Sequence, residues 1–227
     1  MKTIETMLSE KIYKACYNVY RIYRYLTSSI FSGPDYESLF NNYSTTLLEL
    51  GITKAHYACG SLLFNNGWVN IDCYLILPFR GSTSSLYISV DLTSKHPFPS
   101  NHFCFSFAED FLEHLTQEES LIFLSEAFRC LKTGGVLRLS FPGLKGVLRR
   151  HYRRSDYDGA SVGREEAFTM WEHKHFYCEE SLSIVAKHIG FSDVQFASFG
   201  TSLHEELRNL DSRADQQDLN IYAELTK

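Results

Sequence analysis

The stretch from His56 to Asp72, HYACGSLLFNNGWVNID, carries the densest chemical signal in this 227-residue chain. A short apolar run ends in a tight Ala58-Cys59-Gly60 turn, and Asp72 closes a second apolar run twelve residues after Gly60. A backbone that turns closely at one strand end, beside a carboxylate on the next strand tip, is how an open α/β sheet holds a nucleoside. The carboxylate accepts from the ribose hydroxyls, and each such bond contributes roughly 1.5–3 kcal/mol before desolvation is subtracted. Asp91 closes a third run. Glu109, Asp110, Glu113 and His114 follow a fourth, and His173 and His175 stand later beside Tyr177. Carboxylates and imidazoles of this kind can take a proton from an acceptor. An ordinary turn, a solvated loop carboxylate and a hydrogen-bonded structural histidine are the competing readings of the same residues.

These groups need elements to hold them. Apolar residues at helical spacing run from Ile4 to Leu26 and predict a helix over 3–30, broken by Ser-Ser and then by Gly33-Pro34. A second helix is expected from Tyr36 to Leu50, stopped by Gly51. From Lys54 the period changes. Ala55–Ala58, Val69–Leu75, Leu86–Val90, Phe103–Phe107 and Val136–Phe141 each read as short, largely buried strands. Thr116 and Glu119 form a capping box for a helix running to Leu131, with Gly134-Gly135 ending it. The polar stretch Lys145–Glu172 breaks this rhythm and is expected to be an insertion over the active face. A helix at Glu179–Ile189, stopped by Gly190, and strands at Val194–Ser198 and Leu219–Leu225 complete the chain.

Composition bounds the rest. The length suits one α/β domain with additions at its ends. With 22 basic and 27 acidic residues the formal charge is −5, so no general attraction to nucleic acid or anionic membrane is expected. Six cysteines are scattered without a C-x-x-C pair, several within apolar runs, which argues against a disulfide framework or a metal site. The opening MKTIETMLSEKIYK lacks the apolar core of a signal peptide, and no run reaches transmembrane length. A cytoplasmic protein is expected.

Several segments in order resemble one family. They are the ACG turn, Gly67-Trp68-Val69-Asn70-Ile71-Asp72, Val90-Asp91-Leu92, Pro97-Phe98-Pro99-Ser100-Asn101, Phe111-Leu112-Glu113-His114-Leu115 and Arg129-Cys130-Leu131-Lys132-Thr133-Gly134-Gly135-Val136-Leu137-Arg138. Together they are similar to class I S-adenosylmethionine-dependent methyltransferases, and more narrowly to the branch with a G-W-x-N-x-D signature and an L-E-H-L helix. The likeness spans roughly residues 52–227. It implies a Rossmann-like α/β fold, a seven-stranded sheet parallel except for one antiparallel strand near the C-terminus, with the cofactor at the carboxyl ends of the first strands. The chain departs from the family pattern at three places. Glycine stands at one of three usual positions in Ala58-Cys59-Gly60-Ser61-Leu62, His56 replaces an acid common in the family, and Pro142-Gly143-Leu144 replaces the usual Pro-Asp-Leu.

Carried onto these positions, the resemblance implies S-adenosylmethionine as cofactor, held by Ala58, Cys59, Gly60, Asp72, Asp91, Leu92, Phe107 and Ala108. Asp91 would accept from the adenine amino group, although an Asp-Leu pair also opens turns. Glu109, Asp110, His114 and His175 are the candidates for acid–base work, and either acid could instead bind a cationic sulfonium or amine. For the acceptor, Tyr20, Arg149, Arg150 and Tyr177 are expected to contribute. Lys145, Arg149 and Arg153 would share one face if their segment is helical, and suit an anionic acceptor. Tyr13, Tyr17 and Tyr20 at helical spacing make residues 1–50 a packing extension or a lid on a methyltransferase domain at 51–227, whose insertion covers about 143–174. The function expected is methyl transfer to an oxygen or nitrogen of a small, anionic or amphipathic metabolite. An RNA methyltransferase and a non-catalytic cofactor-binding protein are the alternatives.

Overall fold

The computed structural model describes residues 36–73, 85–152 and 157–227. The expected helix over 3–30, with Tyr20, lies outside them, as do Arg153, Arg154 and the end of the second expected strand. The chain divides into Met1–Asn42 and Tyr43–Lys227, and the sheet belongs to the second part.

Helix α1 covers Tyr36–Glu49 and ends at the turn expected from Gly51. Strands β1 (Lys54–Tyr57), β2 (Trp68–Asp72), β3 (Leu86–Ser89), β4 (Phe103–Glu109), β5 (Leu131–Pro142), β6 (Asp193–Phe196) and β7 (Asn220–Thr226) form one sheet in the order β3-β2-β1-β4-β5-β7-β6. Strands β1 to β5 pair in parallel, while β7 runs antiparallel to both of its neighbours. This is the mostly parallel sheet with one reversed strand implied by the resemblance. Strand β6 therefore points the same way as β1 to β5, and the carboxyl ends of six strands face one edge. Because β7 is reversed, its first residue, Asn220, joins them opposite Pro142.

Alternation along each strand sorts side chains onto two faces. Ala55, Tyr57, Ile71, Ala108 and Leu139 enter the main core under helices α2 (Gln117–Cys130) and α5 (Glu179–Ile189). Trp68, Phe107, Val136 and Leu207 form a second cluster with Phe64 packed on it. Trp68 meets Phe64 of the loop after β1 edge-on at 5.2 Å.

Helix α2 opens as the Thr-x-x-Glu spacing predicts. Glu119 N donates to Thr116 Oγ1 at 3.2 Å, and Thr116 N donates to Glu119 Oε2 at 2.8 Å. Its end is not made by Gly134-Gly135. The helix stops at Cys130, and Leu131 is already extended. The glycines lie inside the opening of β5, where the pairing with β4 shifts between Phe103 and Phe105. A Cβ on Gly135 would come within 3.0 Å of the carbonyls of Phe103, Cys104 and Lys132, so the bulge needs glycine there for clearance.

The polar stretch after β5 is also more regular than its composition suggests. It forms α3 (Leu144–His151), α4 (Tyr157–Arg164) and a π-helical turn at Glu165–Thr169. Val147, Ala167, Phe176 and Leu219 give this segment a small core of its own. Too few apolar residues serve that core for the helical period to stand out in the sequence.

Candidate functional site

The turn after β1 and the tip of β2 form one hydrogen-bonded unit on the carboxyl edge. Ala58 and Gly60 both adopt left-handed backbone, with φ of 50° and 52°. This folds the chain back so that Gly60 N donates to Asp72 Oδ2 at 2.8 Å. Cys73 N donates to Asp72 Oδ1 at 2.7 Å, and Cys59 N donates to Ile71 O at 3.1 Å. Asp72 is 8% exposed, and burial raises its pKa against the pull of these backbone donors. Cys59 is a buried thiol whose pKa burial also drives up, so it is inert packing rather than a nucleophile.

Asn70 does more here than its motif suggested. Fully buried, it donates through Nδ2 to Phe64 O (2.8 Å) and Leu86 O (3.0 Å) and accepts from Phe64 N (2.8 Å). The side chain thus ties the β1–β2 loop to β2 and reaches across to β3. His56 lies beside it, Nδ1 3.3 Å from Asn70 Oδ1, stacked on Phe64 at 4.1 Å. Burial pushes the His56 pKa down to about 3, so its ring is neutral.

One strand further, Val90 N donates to Asp72 O at 2.8 Å and brings Asp91 to the same edge. Asp91 Oδ1 accepts from Thr93 N (3.0 Å) and Thr93 Oγ1 (2.6 Å), the turn-opening arrangement. Leu92 is buried in the core, and its carbonyl faces His96 Nε2 at 3.2 Å. Phe107 and Ala108 are buried on opposite faces of β4.

At the end of β4 an acidic group collects. Glu109 accepts from Ser212 N at 2.8 Å and from the Ser212 hydroxyl. Asp110, at φ 49°, takes Arg213 Nη1 on Oδ2 at 2.9 Å. Burial pushes the Asp110 carboxyl up to about 6, with Glu109 and Asp215 adding to the rise and Arg213 and Asn220 opposing it. Glu113, in the 3-10 turn Leu112–His114, is 1% exposed, and its Oε2 meets no hydrogen-bond partner among the described residues. Burial, then Asp110, drives its pKa well above the carboxylate range. His114 Nε2 lies 3.8 Å from Glu113 Oε1. The histidine that meets His114 is His173, ring to ring at 5.0 Å; His175 instead packs edge-on to Tyr177 at 4.7 Å. Sequence spacing cannot separate the two, because a backbone bond from Lys174 N to Glu113 O (2.7 Å) sets which side of the strand segment faces the turn.

Arg138 is a determinant of the site that the sequence does not reveal, because an arginine in an apolar strand reads as an edge residue. It is fully buried and binds Asp211 through Nε (3.1 Å) and Nη2 (2.6 Å), Glu224 Oε1 through Nη1 (2.8 Å), and the carbonyl of Thr201 (2.9 Å). This network pins the segment before β7, which presents Ser212 and Arg213 to Glu109 and Asp110.

On the acceptor side, Arg149 Nη2 donates to Asp218 O (2.9 Å) and Arg150 Nη2 to Asp215 O (3.1 Å), both from the exposed face of α3. A cavity of about 280 Å³ opens at the end of β5, lined by Gly143, Lys145, Arg149, Glu179 and Asn220 among others. Tyr177, expected to face an acceptor, is 2% exposed and spends its hydroxyl on Ser120 Oγ at 2.6 Å. It belongs to the main core and is fastened to α2 through Ser120.

No family model and no curated protein matches this chain. Solved structures do. An S-adenosylmethionine-dependent methyltransferase of Archaeoglobus fulgidus aligns over 90% of this chain and 100% of its own, with 14% identity and a TM-score of 0.51. One from Mesorhizobium loti aligns over 81% and 96%, with 14% identity and a TM-score of 0.52. A third, from Thermotoga maritima, aligns over 92% and 95%, with 13% identity and a TM-score of 0.50. Identity this low speaks to architecture alone. A seven-stranded sheet with reversed β7, and nearly whole-length superposition on these enzymes, give this chain the fold of the class I S-adenosylmethionine-dependent methyltransferases.

Proposed function

We propose that the chain is an S-adenosylmethionine-dependent methyltransferase acting on an oxygen or nitrogen of a small acceptor. The observation that carries this reading is the Gly60–Asp72 unit on the carboxyl edge of the sheet. Each Asp72 oxygen holds one backbone donor and the Cys73 thiol also bonds the carboxylate, whose four acceptor positions leave capacity for a ribose hydroxyl. S-adenosylmethionine has no pyrophosphate, so a turn with a single glycine is enough to let the backbone approach ribose and the amino-acid tail. Asp91 and Leu92 stand next along the edge for adenine, and Phe107 and Ala108 close the β4 side.

The sulfonium methyl is already activated, so the protein's main task is to align acceptor and methyl for in-line displacement. Where the acceptor must lose a proton, Asp110 suits the role of base, since a carboxyl raised to about 6 is ionised at neutral pH yet more basic than a solvated one. Glu109 suits it less, both oxygens being engaged by Ser212. Lys145 and Arg149 on the cavity beside β5 favour an anionic acceptor. A cytoplasmic location is part of the proposal. It fits the free thiols of Cys59, Cys73, Cys104, Cys130 and Cys178, and among the described residues no helix is long and apolar enough to cross a membrane.

Calorimetry with S-adenosylmethionine and S-adenosylhomocysteine tests the reading directly. Saturable binding is expected, weakened about tenfold or more by Asp72→Ala, the loss of at least one charge-assisted bond. Asp72→Asn, which keeps the volume, guards against a folding artefact. Full affinity in both variants, each with a native thermal melt, would sink the proposal.

A further inference from the structure

We propose that Glu113, His114 and His173 form a binding site for a divalent first-row transition-metal cation. One ligand atom from each residue lies within 4.8 Å of the other two. Ligands around a tetrahedral ion at about 2.0–2.1 Å stand roughly 3.3 Å apart, so the three groups close on an ion by small side-chain rotations. His114, whose side chain is 39% exposed, has room to make that adjustment.

Three observations point to a cation. The first is Glu113 Oε2, fully buried and without a hydrogen-bond partner among the described residues. A buried, unsatisfied carboxylate oxygen is costly, and a coordinated ion removes that cost. The second is charge. Glu109, Asp110 and Glu113 act on one another electrostatically, and of the cations that act on this group Arg213 is already engaged with Asp110 at 2.9 Å and Lys174 with Glu119 at 3.0 Å. The third is how the rings are held. His173 Nδ1 lies 2.7 Å from the Ala167 carbonyl, to which it donates when protonated there. That fixes the tautomer that leaves Nε2 as the ligand, the usual outer-sphere support of a metal-bound histidine. The His114 ring is set against the backbone of Trp171 and Glu172, with Nε2 toward Glu113.

Two imidazoles and one carboxylate select zinc, cobalt, manganese, iron or nickel over magnesium and calcium, which favour all-oxygen shells. Three protein ligands also leave open positions for water or another oxygen donor, as in sites that do chemistry rather than in closed structural ones. The site does not depend on the methyl-transfer reading and can be measured without cofactor.

The experiment uses the full chain after chelator treatment, titrated calorimetrically with Zn²⁺ and with Mg²⁺, and with Co²⁺ followed by its visible absorption. One equivalent of Zn²⁺ and of Co²⁺ is expected to bind, the Co²⁺ spectrum showing nitrogen–oxygen coordination, with Mg²⁺ far weaker. Glu113→Gln, nearly isosteric, and His173→Ala should each weaken Zn²⁺ binding about tenfold or more while far-ultraviolet circular dichroism stays native. Absence of stoichiometric binding in the wild-type chain overturns the proposal. So does binding of equal strength in both variants, which would locate the ion at the cysteines or elsewhere. Because His114→Ala removes a partly exposed ligand, it serves as the folded reference should His173→Ala lose structure, and unchanged affinity in it counts against the site equally.

Discussion

Asn70 and Asp72 stand two residues apart on β2 and divide the holding of the first loop between them. Asp72 fastens Gly60, and Asn70 fastens Phe64 and Leu86. Asp72 was legible in the sequence because a carboxylate at a strand end after a tight turn has few other uses. Asn70 was not, since its partners are backbone atoms six and sixteen residues away whose approach depends on the path of the loop and on the β2–β3 register. Asn70→Leu leaves buried backbone groups of Phe64 and Leu86 unpaired. At roughly 1–3 kcal/mol for each stranded group, the variant is expected to lose about 3 kcal/mol or more of stability in urea denaturation. It should also bind S-adenosylmethionine more weakly, through a loosened turn. Wild-type stability would mean that water replaces these bonds without cost. Tyr177 teaches the reverse lesson, since a tyrosine beside two histidines looks like an acceptor contact until its hydroxyl is found on Ser120.

At the scale of elements, the end of β4 is built by the segment preceding β7. Arg138 in β5 holds that segment through Asp211, and β7 itself through Glu224. Removing the guanidinium strands two buried carboxylates. Losing one partner of a buried ion pair costs about 3–5 kcal/mol, so Arg138→Met is expected to lower the unfolding free energy by at least that range. Combining it with Asp211→Leu and Glu224→Leu should restore a large part of the loss, and urea titrations of the two variants measure the difference. If the single substitution were neutral, the network would not be what positions Ser212 and Arg213. The capping box of α2 and the apolar strands were readable because their signals lie within a few residues. The true end of α2 was not, because Gly134-Gly135 serves a close backbone approach from β4 that no local pattern records.

For the whole molecule, buried neutral histidines make acid the weak side of its stability. Burial lowers the His56 pKa to about 3 and that of His96 to about 4, from 6.5. The unfolded chain takes up these protons near pH 6.5 while the folded chain cannot, so stability is full above that value and falls as pH drops toward 4. His56 alone accounts for about 2 kcal/mol between pH 7 and pH 5, at roughly 1.36 kcal/mol per pKa unit. Asp110 works in the opposite sense. Its folded pKa of about 6 exceeds the ordinary carboxyl value of 3.8, and burial raises Asp72 and Glu113 as well, so acidification through these ranges favours the folded state at all three. Urea unfolding of the wild type and of His56→Phe at the two pH values isolates the histidine's share, the variant being expected to lose about 2 kcal/mol less between them; an equal pH dependence in both would mean that the site opens to water. The sequence by itself determined the strands β1 to β5, helix α1, the opening of α2, helix α5 and the Gly60-to-Asp72 turn. Each of these follows from periodicity, capping or turn chemistry acting over a few residues. The tertiary structure alone decided that Ser212 and Arg213 meet Glu109 and Asp110, across 103 positions of chain in each case, that Arg138 is buried between two acids, and that His173 rather than His175 turns toward Glu113 and His114. Those pairings depend on strand order and on the path of the returning chain, which bring together residues that share no local pattern.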